Sequence, residues 1–117
     1  MVTIQDILTL LRKKRFALES EKMCQKQIFL ALSNLKFVYL KPEEILDPKN
    51  IIDFLIDGIG IEVKLRAQKR ALYNQCVRYC EFDQIKTFLL ITNQTIGLPT
   101  QINGKDCYVL NIGKAWL

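Results

Sequence analysis

The dipeptide Asp57-Gly58 separates two apolar, β-branched runs, IIDFLI and IGIEVKL, and no other feature of the chain constrains its fold as tightly. A two-residue turn of the primed type needs positive φ at both central positions, which Asp and Gly tolerate, and it fixes the register of the strands it joins. With Ile56 opposite Ile59, the ladder runs through Leu55 with Gly60 and Phe54 with Ile61, and it predicts Asp53 opposite Glu62. Strand periodicity then puts Lys64 on the face of Glu62 and sends Ile52, Phe54, Ile56, Ile61, Val63 and Leu65 into a core.

Facing carboxylates with β-carbons about 5 Å apart repel by roughly 3 kcal/mol at an effective dielectric of about 20. Structure alone gains nothing from that. A cation between them changes the sign: a hard divalent ion such as Mg²⁺ takes one or two carboxylates and completes its shell with water and phosphate oxygens. The Lys64 ammonium could then orient or deprotonate a water, or stabilise charge developing on phosphate. A solvated strand face of alternating charge is the plainer alternative, but the flanking runs are too apolar for a casual surface hairpin.

The rest of the composition narrows the chemistry. Histidine is absent, which removes the usual Ser-His-Asp and Cys-His hydrolases, HExxH zinc proteases and nucleases that activate water with imidazole. Cys24, Cys76, Cys80 and Cys107 form no two-residue metal knuckle, so they are expected reduced and packed rather than as a Cys₄ zinc or iron-sulfur site. The 117 residues suit one domain with a real core. No apolar stretch is long enough for a membrane span, and the N-terminus carries its charge after the apolar part, so a cytoplasmic location is expected. The net charge of +5 is clustered in Arg12 to Arg15 and in Lys64, Arg66, Lys69, Arg70 and Arg78, an arrangement that suits a polyanion beside an acidic metal site.

Thr3 with Asp6 has capping-box spacing, and Ile4, Ile7, Leu8 and Leu11 predict a first helix to about residue 15. A second is predicted from about 18 to 35, with Cys24, Ile28, Ala31, Leu32 and Leu35 on one stripe and Glu21 at its leading end. Residues 37 to 40 read as a short strand and residues 41 to 50, with Pro42 and Pro48, as a connector. After the hairpin, residues 67 to about 82 read as a helix with Ala71, Leu72, Gln75, Cys76 and Tyr79 on one face. Strands follow at 87 to 92 (TFLLIT), buried on both faces, and at 107 to 110. The helix between the hairpin and TFLLIT implies a parallel crossover, so the expected fold is α/β with a mixed central β-sheet flanked by helices.

Asp53, eight intervening residues, then Glu62-Val63-Lys64 resembles the catalytic signature of the PD-(D/E)XK nuclease superfamily. Glu21 on the preceding helix stands where many members carry another metal-linked acid, with Glu19 competing for that role, and Gln75 with Tyr79 resembles a Gln-x-x-x-Tyr pattern of several subfamilies. The resemblance covers about residues 18 to 93; Ile52 stands in place of the motif's proline. It implies a single domain with a restriction-endonuclease-like core and metal-dependent phosphodiester hydrolysis of DNA, as an endonuclease acting on branched or junction DNA. In that scheme Asp53, Glu62, the Val63 carbonyl and Glu21 would hold Mg²⁺ or Mn²⁺, and Lys64 would position the attacking water. Arg66, Lys69, Arg70, Gln75 and Tyr79 would face the nucleic acid. The alternatives are a silent nucleic-acid- or partner-binding module of the same fold, or an enzyme cleaving RNA or a cyclic oligonucleotide. A homodimer is also compatible, with Ala115-Trp116-Leu117 closing it or capping the core.

Overall fold

A computed structural model describes residues 1–35 and 41–113. Along the chain run α1 (Ile4–Arg12), α2 (Glu21–Leu32), β1 (Lys41–Asp47), β2 (Asn50–Ile56), β3 (Ile59–Lys64), α3 (Lys69–Tyr79), β4 (Thr87–Thr92), β5 (Gln101–Ile102) and β6 (Lys105–Asn111). The strands form one sheet in the order β1-β2-β3-β4-β6-β5. Its first three strands are antiparallel, β3, β4 and β6 are parallel, and β5 returns antiparallel to β6. The mixed sheet and its flanking helices are therefore as expected. The predicted strand at 37 to 40 and the 115 to 117 segment lie outside the described residues.

The sheet is buried on both faces, which is why TFLLIT is apolar without alternation. On one face, Leu89 and Ile91 join Phe54, Ile56, Ile61 and Val63 against Ile7, Leu8 and Leu11 of α1 and Cys24, Ile28 and Leu32 of α2. On the other, Phe88 and Leu90 pack with Leu72, Cys76 and Tyr79 of α3. All four cysteines are buried free thiols, and Cys24 lies in the opposite layer from the other three, so they share no metal.

Local chemistry sets the element ends. Thr3 and Asp6 exchange both bonds of a capping box at the start of α1. Asp57 (φ 48°) and Gly58 (φ 81°) make the primed turn, and Asp57 Oδ2 also accepts the Val2 N–H at 2.8 Å, tying the N-terminus to the hairpin tip. Gly60 is required for a different reason: a β-carbon there would come within 2.8 Å of Ile52 Cδ1 and 2.9 Å of Ile85 Cδ1.

Three expectations need correction. Residues 41 to 47 are an edge strand, not a connector: β1 pairs with β2 through a register shift between Ile45 and Asp47, and Glu43 sits at φ 53°. Edge position and irregularity are what let Pro42 reside there. Second, Ile52 packs in the α3 layer rather than beside Phe54, beyond the point where β2 ceases to pair with β3. Third, the Asn103-Gly104 loop, with φ of 52° and 75°, closes a second primed hairpin whose short arm β5 the apolar pattern did not mark.

Candidate functional site

The β2–β3 ladder holds for three pairs from the turn, Ile56–Ile59, Leu55–Gly60 and Phe54–Ile61, and then stops. Beyond it β2 stays with β1 and β3 stays with β4, so the sheet opens at Asp53 and Glu62. The predicted register is correct up to this point, but Asp53 and Glu62 are not a ladder pair. They meet through side-chain to backbone bonds instead. A continued ladder would give the Val63 N–H to the Ile52 carbonyl; here it donates to Asp53 Oδ2 at 2.8 Å, and the Asp53 N–H donates to Glu62 Oε1 at 3.2 Å. Carboxylates stand in for the missing strand carbonyls.

Both layers reach this opening. From α2, Gln25 Nε2 donates to Asp53 Oδ1 at 3.3 Å, and Glu21 Oε1 accepts the Leu65 N–H at 2.9 Å, while Glu21 Oε2 lies 3.8 Å from Lys64 Nζ. Of the two acids, Glu21 is the one that reaches the β3 strand end; Glu19 is exposed ahead of the Ser20 cap. From α3, the Tyr79 hydroxyl lies 3.1 Å from Glu62 Oε2 and 2.8 Å from the Ile51 carbonyl, and Gln75 Nε2 donates to it at 3.0 Å. Tyr79 is only 2% exposed, so its ring is enclosed by the protein while its hydroxyl meets the carboxyl group. The Val63 side chain is in the core.

The contacts of the Tyr79 hydroxyl bear on the state of Glu62. One hydroxyl proton cannot serve two acceptors. A carbonyl can only accept and has the shorter contact, so a proton on Glu62 would let the hydroxyl satisfy both neighbours at once. Every buried polar side-chain atom among the described residues then has its partner. Burial agrees: Glu62 is 3% exposed, and desolvation followed by the neighbouring Asp53 charge pushes its pKa up to about 8. Asp53 is also raised, mainly by desolvation, but the Val63 N–H opposes the rise. The pair therefore holds a proton near neutral pH, and Glu62 carries it.

The end of β3 that bears Lys64 is held rigidly. Arg66 (φ 53°) donates its N–H to Asn93 Oδ1, and Ala67 exchanges two bonds with the Gln94 side chain at 2.6 and 2.7 Å, clamping the loop after β3 to the loop after β4. Arg66, Lys69 and Arg70 are exposed along this rim. Lys64 lines a shallow groove with Gln75 and Arg78, and Lys69 and Arg70 border a separate hollow with Tyr73 and Ile96.

The donor set is all oxygen, and two carboxylates are what a hard divalent cation takes from a protein when phosphate and water complete its shell. Asp53 and Glu62 fit that role, each oxygen keeping a second lone pair. Glu21 does not close with them: among the described residues no three Asp, Glu or Cys side chains gather as a ready metal centre. Its negative charge is nonetheless felt at Asp53. Gln25 was not visible as a site residue in the sequence, though its place one turn after Glu21 on the same helix offered a signal. Comparison with family models, with curated proteins and with solved structures finds no match for this chain. Among the described residues no helix is long and apolar enough to cross a membrane.

Proposed function

We propose that this chain is a metal-dependent endonuclease that hydrolyses phosphodiester bonds in DNA, built on a restriction-endonuclease-like core and acting on branched or junction substrates. One observation carries the proposal: two carboxyl groups with raised pKa, the buried Glu62 and the half-buried Asp53, meet at an opening in the sheet whose β3 strand continues into Lys64 and the exposed Arg66. Perturbed titratable groups gathered at one place are a signature of chemistry rather than of packing. Asp53 and Glu62 would hold Mg²⁺ or Mn²⁺, which when bound supplies a Lewis acid for the phosphoryl oxygens and a more acidic water.

The chain's own residues divide the remaining work. Tyr79 and Gln75 hold the Glu62 carboxyl group in place and take up its proton contact. Lys64, kept within 3.8 Å of Glu21, offers an ammonium to orient the attacking water and to meet charge developing on phosphate. Arg66, Lys69 and Arg70 neutralise neighbouring phosphates.

A Mg²⁺ substrate panel of linear duplex, single-stranded and four-way junction DNA with RNA tests this. Cleavage of DNA is expected, with Asp53→Ala and Lys64→Ala each lowering the rate by about 100-fold or more while circular dichroism stays native. Absence of cleavage across the panel, or full activity in Lys64→Ala, would overturn the proposal. Preferential cleavage of RNA would redirect it to a ribonuclease.

A second reading has its own support. The acidic side chains already meet protein donors, and Glu21 stands apart as a partner of Lys64 and Leu65, as in a module that keeps the fold for binding without turnover. Nucleic-acid binding with no cleavage under any divalent cation would select that reading.

A further inference from the structure

A groove of about 220 Å³ runs from Asp53 out along α2. Lys22, Gln25, Lys26 and Phe29 recur at helical spacing and present one face of α2 to it, and Glu43 of β1 lines it with Asp53 and Phe54. The volume lies below the roughly 300 Å³ where small-molecule pockets begin, so it admits one ring rather than a whole ligand. Phe29 is half-buried and stacked on Phe54, with centroids 6.4 Å apart and planes 22° from parallel, which gives a ring backed by the core and open on its other side. Lys22 and Lys26 are exposed at the rim. Glu43 and Asp53 repel an anion seated deep in the groove and leave it at the lysines. An aromatic platform with exposed cations one and two helical turns away is the arrangement that single-stranded nucleic acids use, since every base has a face to stack and every nucleotide a phosphate to neutralise.

We propose that this α2 groove binds an unpaired nucleotide of a single-stranded polynucleotide, its base against Phe29 and its phosphate between Lys22 and Lys26. The inference deepens the nuclease reading and rests on it for the substrate's direction, because the groove ends at Asp53. A base held in a duplex cannot enter, so the groove selects single strands, flaps or the open centre of a junction.

The test is fluorescence anisotropy with 3′-labelled octathymidylate, a duplex of equal length and octauridylate, all in EDTA so that binding is read without hydrolysis. Wild type is expected to bind the single strands more tightly than the duplex. Phe29→Leu and the double variant Lys22→Ala/Lys26→Ala are each expected to weaken single-strand binding about tenfold, with circular dichroism confirming the fold. The lysine pair is exposed, so that variant carries the test even if Phe29→Leu fails to fold. Single-strand affinity within about twofold of wild type in the lysine variant, or a duplex bound as tightly as the single strand, would overturn the inference. A protein that cleaves nothing yet loses single-strand binding in these variants would sink hydrolysis and keep the groove; one that cleaves DNA with the groove variants unaffected would do the reverse. The uridylate arm separates a DNA from an RNA strand as the occupant.

Discussion

The two ends of the β2–β3 hairpin solve the same problem with different materials. At the turn, three ladder pairs and a primed turn satisfy the backbone, and the side chains are apolar, with Phe54, Ile56, Ile59 and Ile61 packed into the α1–α2 layer. Four to five residues from the turn, the amides of Asp53 and Val63 are satisfied by carboxyl oxygens, and the group behind them is a tyrosine hydroxyl from the opposite layer. The first arrangement is indifferent to pH and to ligands. The second depends on a proton, and a cation can replace that proton. The difference teaches where a hydrophobic hairpin can carry chemistry: at the place where its own ladder is given up.

The largest effect should come from the turn end. Ile61 is fully buried between ladder and helices, so Ile61→Ala should lower stability by about 2–5 kcal/mol, and by the same amount at pH 5.5 and pH 8 in denaturant titrations. A strongly pH-dependent loss would break the contrast.

The open end should show the opposite behaviour in the wild-type protein. Glu62 is raised from an ordinary 4.5 to about 8, so between those values the folded state holds a proton that the unfolded chain has released. Stability therefore falls as pH rises through that window and levels off above it, by on the order of 5 kcal/mol. Asp53→Asn removes the facing charge while keeping an acceptor for the Val63 N–H. It should flatten the slope and leave the metal-free protein at pH 8 as stable as wild type or more so; a large drop in its melting temperature would mark the pair as structural.

A smaller effect should follow Tyr79→Phe, which strips the hydroxyl shared by Ile51, Gln75 and Glu62. The expected cost is about 1–3 kcal/mol for the groups left unpartnered, and it should exceed the cost of Tyr73→Phe at an exposed position of the same helix. Equal costs would mean that the hydroxyl does not hold the site together.

How far the sequence could foresee this follows the same division. The turn end was legible because β-branched runs around Asp57-Gly58 leave one register, and the helices were legible because Thr3 and Asp6 mark a start and Ile7, Leu8 and Leu11 a face. The partnership of Asp53, Glu62 and Lys64 was legible from spacing, although as a ladder pair rather than as carboxyl groups replacing the ladder, whereas Glu21 was marked only by the resemblance. The strand β1 was not, since Pro42, the positive φ of Glu43 and an edge position remove the alternation by which strands are read. Nor was the layer of Ile52, because alternation assumes a regular ladder and β2 leaves β3 after Phe54. The α2 residues Lys22, Gln25, Lys26 and Phe29 look like an ordinary solvated face until β1 and β2 place Glu43 and Asp53 across from them.

Calorimetric titration of Mn²⁺ into the protein at pH 7, repeated in two buffers of different ionisation enthalpy, measures both cation uptake and the proton exchanged with it. The expected result is binding coupled to release of close to one proton, with the proton release lost in Glu62→Gln. No uptake at millimolar Mn²⁺, or uptake without proton release, would contradict a proton held by Glu62 at a cation site in the open end of the hairpin.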